Sequence, residues 1–341
     1  MQAGRRYTFF QTANWTRKYI FWFVVVDSIP VVLYQVFQVE WLRIPWQPLS
    51  LIGIAVAFYL GFKNNSSYER TWEARKIWGG IVNTSRAFTV MVREYINNEA
   101  AVEQQEETAL LELRRQVVHR HVAWLRAMTI ELRKYQPWEH NASNDKVGRK
   151  ILGTEYRPER FDELKPYLSA EDHAYILGKG NRSSHLLSLQ TRQLMVLRQQ
   201  GLIEHFRHLQ LQTQITEMYT LQGKSERIKN FPFPRQYATI NYFFVVLFLI
   251  LLPFGMVDVF TEHGGGGWWV WLAIPFSVVS SWVFWMMEMI GEYSENPFEG
   301  LYNDVPITDI AISIEIDIRQ MLEETDLPQR TPPMGDLKVV V

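Results

Sequence analysis

Two stretches of this chain run for 21 residues each without one Asp, Glu, Lys or Arg: Tyr237 to Val257 (YATINYFFVVLFLILLPFGMV) and Gly267 to Met287 (GWWVWLAIPFSVVSSWVFWMM). As helices, both are long enough to cross a hydrocarbon layer of about 30 Å. Buried helices of a large soluble protein are the alternative, but two uncharged runs separated by nine residues favour a pair of membrane spans. Ile20 to Phe37 is a third candidate span, interrupted by Asp27 and Pro30. Leu49 to Phe62 is a fourth; with 14 residues, its length also suits a core helix or a re-entrant segment.

Lys and Arg are retained on the cytoplasmic side of a membrane, so their distribution orients the spans. Arg5, Arg6, Arg17 and Lys18 precede the first span. The link from Gln38 to Gln47 has only Arg43, and the link from Asp258 to Gly266 has no Lys or Arg. Between Lys63 and Arg235 there are 27 Lys or Arg against 20 Asp or Glu. Four spans follow, with both termini and the central block cytoplasmic and two short links outside. Trp41, Trp46, Trp268, Trp269 and Trp271 fall at the outer boundary, where an interfacial aromatic belt belongs. No signal-peptide cleavage pattern precedes the first span, so it is expected to stay as an anchor. The domain pattern is then 1–19 cytoplasmic, 20–62 the first two spans, 63–235 a cytoplasmic helical domain, 236–290 the third and fourth spans, and 291–341 a cytoplasmic segment and tail.

The overall mean hydropathy of −0.14 reads as soluble only because the central block dilutes the spans. The absence of Cys excludes disulfides and thiolate metal sites. A net charge of −1 argues against a general nucleic-acid binder. Within the central block, Leu110, Leu113, Val117, Trp124, Leu125, Met128 and Leu132 recur at helical spacing, predicting a packed helix between Glu99 and Tyr135. Gln136 to Pro166 reads as loops with short turns, and Gly264 to Gly267 as a flexible link. Helix returns from about Ser169, pauses near Gly178 and Gly180 and resumes to about Gly223. Ile310 to Ile318 alternates with strand periodicity, but Ile310, Ile314 and Ile318 also lie four apart; we read a helix entered at Thr308. From Glu323 onward the chain is expected to be an extended tail.

No catalytic constellation is legible. His205 and His208 lie three apart without a supporting third ligand, and His119 and His121 point to different helix faces. The chain is therefore expected not to be an enzyme, and to hold no metal or cofactor. From Glu288 onward there are 12 acidic residues against three basic. That excess either docks the C-terminal segment onto the basic block or lines a charged vestibule. In the second span, Ile54, Phe58 and Phe62 are spaced by four and form one stripe, while Gly53, Ala55, Ala57 and Gly61 are small. Spacing alone favours core packing for such a stripe. Several copies turning it to a common axis would instead make a hydrophobic constriction.

Three strings carry a resemblance: PLSLIGIAVAFYLGFKNNSSYERTWEARKIWGGIVNTSR from Pro48, ERIKNFPFP from Glu226 and ENPFEGLYNDVPI from Glu295. In order and position they resemble the bestrophin family of pentameric ion channels, and its bacterial branch in particular. The resemblance implies an all-α membrane protein, four transmembrane helices plus a helical cytoplasmic domain, forming a homopentamer around a single axial pore in a lipid bilayer. The expected location is a cell membrane, as a multi-pass protein of the bacterial inner membrane. The family's neck positions carry over to Ile54, Phe58 and Phe62, counting back eight residues from Arg70 to Phe62. Arg70, Glu73, Asn296, Pro297 and Phe298 correspond to structural motif residues, and Phe206 is the candidate for a second, cytoplasmic aperture. Animal members that conduct anions share the Ile-Phe-Phe pattern, whereas bacterial relatives can pass monovalent cations. The expectation is a passive channel for monovalent ions with chloride-like anions slightly favoured. A sodium-type cation channel and a non-conducting membrane scaffold are the alternatives. Calcium-activated members carry consecutive acids after the NPF motif; here only Glu299 and Asp304 follow, so no calcium site is expected.

Overall fold

The computed structural model describes residues 7–140, 156–263, 267–301, 303–330, 332 and 340. Among these no strand occurs, and nine α-helices account for most of the chain: α1 Phe9–Gln35, α2 Trp46–Tyr95, α3 Glu107–Leu132, α4 Ala170–Leu177, α5 Arg182–Gln199, α6 His205–Asn230, α7 Arg235–His263, α8 Ala273–Tyr293 and α9 Ile307–Gln320. The chain divides into two compact units, one built from Gly4–Arg70 with Pro232–Glu295 and the other mainly from Thr71–Phe231 with Asn296–Val341.

The first unit holds α1, α2 as far as Arg70, α7 and α8. Its helices are four elements long and apolar enough to cross a membrane. Thr8 and Gln11 start α1 with a reciprocal capping box, the Gln11 amide donating to Thr8 Oγ1 at 3.2 Å and the Thr8 amide to Gln11 Oε1 at 2.8 Å. At 27 residues, α1 begins well before the apolar run that announces it. The segment from Leu49 to Phe62 is neither short nor re-entrant: it is the early part of a helix of 50 residues. After Pro48, which sits harmlessly in the first turn, no proline interrupts α2 before Tyr95. Leu49, Val56 and Leu60 of α2 pack with Val245, Phe248, Leu249 and Leu252 of α7. Gly53 allows this approach, since a Cβ there would lie 2.9 Å from the Phe248 ring. Ala55, Ala57 and Gly61 are exposed, so of the four small residues only Gly53 serves close packing within this chain. Arg43, in the link after α1, pairs with Asp258 at 2.5 Å and Glu262 at 2.9 Å; both acids belong to the last turns of α7, which runs on to His263 where the sequence suggested a link from Asp258. The α8 span is entered through a 3-10 helix, Gly267–Leu272.

The second unit is organised around α3, which is buried over most of Val117–Leu132 and packs against α5, α6, α9 and a 3-10 helix, Pro158–Tyr167. That 3-10 helix corrects the reading of Gln136 to Pro166 as loops; residues 141–155 of that stretch lie outside the described residues. The helix expected to run unbroken to Gly223 is two helices, α5 and α6, and α6 continues to Asn230. Gly201 makes the break: its φ is +74°, and a Cβ there would run into the Ala100 carbonyl. The Ile310–Ile318 stretch is helical, as α9, with Ile307, Ala311, Ile314 and Ile318 buried. It starts at Ile307, one residue before the expected Thr308. His121 lies fully buried between Phe88 and Trp124, and burial pulls its pKa down to about 3, so it is a neutral core residue.

Gly53→Val should destabilise the membrane unit by about 1–3 kcal/mol through overpacking against Phe248. Thermal unfolding in detergent checks this: its midpoint should fall for Gly53→Val and hold for Gly61→Ala, where a Cβ meets nothing within 4 Å.

Candidate functional site

A helix that passes between two environments buries one face and leaves the other. On α2 the buried face of the membrane unit is Leu49, Gly53, Val56, Leu60, Lys63 and Ser67, alternating four and three residues apart. Ile54, Phe58 and Phe62 lie on the opposite side and are 68%, 64% and 58% exposed. The stripe therefore does not pack into the core of its own chain, contrary to the reading that spacing alone favoured. The Phe58 and Phe62 rings meet edge to face, perpendicular, with centroids 4.6 Å apart. That is the arrangement in which the electropositive edge of one ring meets the electron-rich face of the other.

Lys63 follows Phe62 directly, yet it is buried. Its Nζ donates to Glu288 Oε1 of α8, while Asn241 Nδ2 of α7 donates to Glu288 Oε2 at 2.5 Å. Further along the same unit, Arg70 Nε donates to the Glu295 carbonyl at 2.8 Å and Arg235 pairs with the Glu295 carboxylate at 2.6 Å. Arg70 thereby ties α2 to the segment that follows α8.

In the second unit, Glu73 forms an exposed ion pair with Arg227 at 2.6 Å. Phe206 stands in the first turn of α6 and is 72% exposed, its amide donating to the Glu204 cap at 2.8 Å. Asn296, Pro297 and Phe298 form a structural turn. Asn296 Nδ2 donates to Glu299 Oε1 at 2.6 Å, the Pro297 carbonyl accepts from the Val305 amide at 3.1 Å, and Phe298 is in the core.

The acids of the C-terminal segment are largely engaged. Arg126 pairs with Glu315 at 2.7 Å, Arg86 with Asp317, Arg115 and His119 with Glu324 at 3.1 and 2.8 Å, and His140 with Glu299 at 2.9 Å. Of the two readings open from sequence, the geometry is that of docking onto the basic block. Asp304 lies buried beside Arg133, with the nearest approach 3.6 Å, and accepts from the Gly300 amide at 2.5 Å. Burial pulls the Arg133 guanidinium down to about 10 even against Asp304. Burial also raises Asp304 to about 7, opposed by Arg133 and reinforced by Glu299. Nearby, Lys229 pairs with Glu139 in the interior. Among the described residues no group of three or more His, Cys, Asp or Glu could hold a metal ion.

Sequence reasoning missed Lys63, Asn241, Arg133 and the Glu139–Lys229 pair, and counted Glu288 only within the acidic excess, because single charges and amides ordinarily read as solvated. One signal was available: Lys63 and Glu288 are the first charges after their apolar runs.

With this geometry established, residues 18–320 match the family model described as Bacterial/Fungal Bestrophin protein. The chain belongs to the bestrophin family. It is 27% identical over 304 residues to the voltage-dependent anion channel-forming protein YneE of Escherichia coli K12, covering 87% of this chain and 85% of the relative. The protein of that name from Salmonella typhi is 28% identical, over 84% of this chain and 80% of the relative. Among solved structures, a bacterial bestrophin homologue from Klebsiella pneumoniae superposes with a TM-score of 0.73 at 24% identity, covering 90% of this chain and 98% of that one. That likeness establishes the shared fold. As a bestrophin with four membrane-length apolar helices, the chain is a membrane protein.

The buried Asp304 sets a pH dependence for the turn after the NPF motif. Its pKa is raised from 3.8 to about 7 in the folded state, so between those values the opened chain releases a proton that the folded one keeps. Closure of residues 296–305 should therefore weaken as pH rises through that window and level off above it. Hydrogen exchange of the Gly300 and Leu301 amides, corrected for intrinsic rates, should show this slope, and Asp304→Asn should flatten it.

Proposed function

We propose that this bestrophin is the subunit of a homopentameric channel that passes small monovalent ions passively, with chloride-like anions slightly favoured. The observation that carries the proposal is the exposed Ile54–Phe58–Phe62 stripe. An apolar face left outside its own protomer on a membrane helix needs lipid, a second copy or a pore. Five copies turning it inward would give a narrow dewetted neck whose ring edges favour a passing anion. The names of the YneE relatives, which call them voltage-dependent anion channel-forming proteins, support the same reading.

The proposed topology places both termini, residues 1–19, 63–235 and 291–341 on the cytoplasmic side of a bacterial inner membrane, with spans in 20–62 and 236–290. Phe206, exposed at the start of α6, is the candidate for a second narrow point. A cation channel of the same architecture would have drawn support from an open acidic vestibule. The pairing of Glu288, Glu295, Glu299, Glu315 and Glu324 with basic partners works against it. Glu299 and Asp304 are likewise occupied by His140 and Arg133, so gating is proposed to be independent of calcium.

Purified protein in planar bilayers under asymmetric salt should give a reversal potential displaced toward the chloride equilibrium value. A shift toward the cation value replaces the anion reading with the cation one, and an ion-tight liposome assembly replaces both with a scaffold. Phe58→Ala should change conductance or gating, and an unchanged current removes the neck assignment. Calcium chelation should leave the current unaltered.

A further inference from the structure

The stripe on α2 is useful only if that helix holds one rotational setting, because adjacent residues are about 100° apart around the axis. Apolar packing sets this poorly inside a membrane. Lipid tails are as apolar as Leu, so the contacts of Leu49, Val56 and Leu60 with α7 supply shape but little directional preference. The buried face of α2 in this unit carries one charged side chain, Lys63, and it follows Phe62 immediately.

We propose that Lys63, Glu288 and Asn241 form a register lock that fixes which face of α2 is turned to the neck. The lock is specific in three ways. Lys63 and Glu288 have side chains 5% and 1% exposed, so neither charge has water as an alternative partner. The two Glu288 oxygens are used separately, Oε1 by Lys63 of α2 and Oε2 by Asn241 of α7, which ties three helices at one point. Gly291 lets α8 lie against α2 at this same point, since a Cβ there would lie 2.5 Å from Asn64 Oδ1 and 3.4 Å from Lys63 Cγ. Rotating α2 by one residue would strand an ammonium and a carboxylate in the interior. A buried ion pair adds little stability compared with apolar side chains of similar size, and setting a register is its best-attested use. Lys63 is thus a positioning residue: it acts on the neck through the orientation of Phe58 and Phe62, without touching the ion. The inference rests on the channel reading above.

The chain contains no Cys, so single cysteines report the register directly. Phe58→Cys and Val56→Cys are compared, in full-length protein in liposomes, for the rate at which a charged, membrane-impermeant thiosulfonate reagent alters the ion current. With the lock intact, position 58 should react at least about tenfold faster than position 56, as opposite helix faces require. Lys63→Met combined with Glu288→Met leaves no unpaired buried charge, and should bring the two rates within about threefold of each other. Exchanging the charges, Lys63→Glu with Glu288→Lys, should restore the contrast; if the Met pair does not assemble, this arm decides alone. A contrast unchanged in the Met pair, or not restored by exchange, overturns the lock. Lack of reaction at position 58 in the otherwise native protein overturns the channel reading instead.

Discussion

A membrane helix packed against others in lipid lacks the driving force that organises a soluble core, because leaving a neighbour for lipid exposes nothing to water. The membrane unit of this protein therefore depends on close approach and on a few polar bonds. Gly53 brings α2 against Phe248, Gly291 brings α8 against Lys63 and Asn64, and the Lys63–Glu288–Asn241 cluster joins three helices. The Arg43–Asp258 pair ties the link after α1 to the last turns of α7. Everything else on that face of α2 is shape. What remains on the other face is the unpartnered stripe of Ile54, Phe58 and Phe62, whose exposure follows from how completely the buried face is satisfied.

The second unit is governed by ordinary soluble-protein physics. Its core centres on α3, and α9 packs on it through Ile307, Ala311, Ile314 and Ile318. Around that apolar contact the acids of the C-terminal segment meet the arginines of α2 and α3. Arg86, Arg115 and Arg126 each hold one carboxylate, so the chain's near-zero net charge is the sum of two opposite surfaces that are docked together. Of these, the exposed Arg86–Asp317 pair contributes little individually, whereas Glu315 and Glu324 are buried against their partners. Their value is to orient α9, whose alternating Ile pattern alone is compatible with a strand.

The interior polar groups are where sequence reading fell short. Lys63 and Glu288 stand at the charged ends of apolar runs, and Arg133 and Lys229 are two of the 27 Lys and Arg of the central block. Each is buried, and burial is a property of neighbours distant in sequence: Lys63 and Glu288 are 225 residues apart. The same limit explains Gly201. A glycine in a helical pattern is unremarkable until its φ of +74° and the nearby Ala100 carbonyl show that only glycine fits. The length of α2 was hidden for another reason. The hydropathy signal ends at Phe62, whereas the hydrogen-bonded helix, free of proline after its first turn, continues to Tyr95.

By itself the sequence determined the number of membrane-length segments, the helical class of the intervening block and the spacing of Ile54, Phe58 and Phe62. Each is a local property, set by runs of uncharged residues and by the 3.6-residue period. The family likeness was also present in the strings around Arg70, Glu226 and Asn296. Only the tertiary structure decided which side of α2 is buried, because two faces of one helix, each studded with apolar residues, are equivalent until a partner covers one of them. It also decided that the C-terminal acids are paired, since attraction between charges depends on distance in space, which sequence position does not supply.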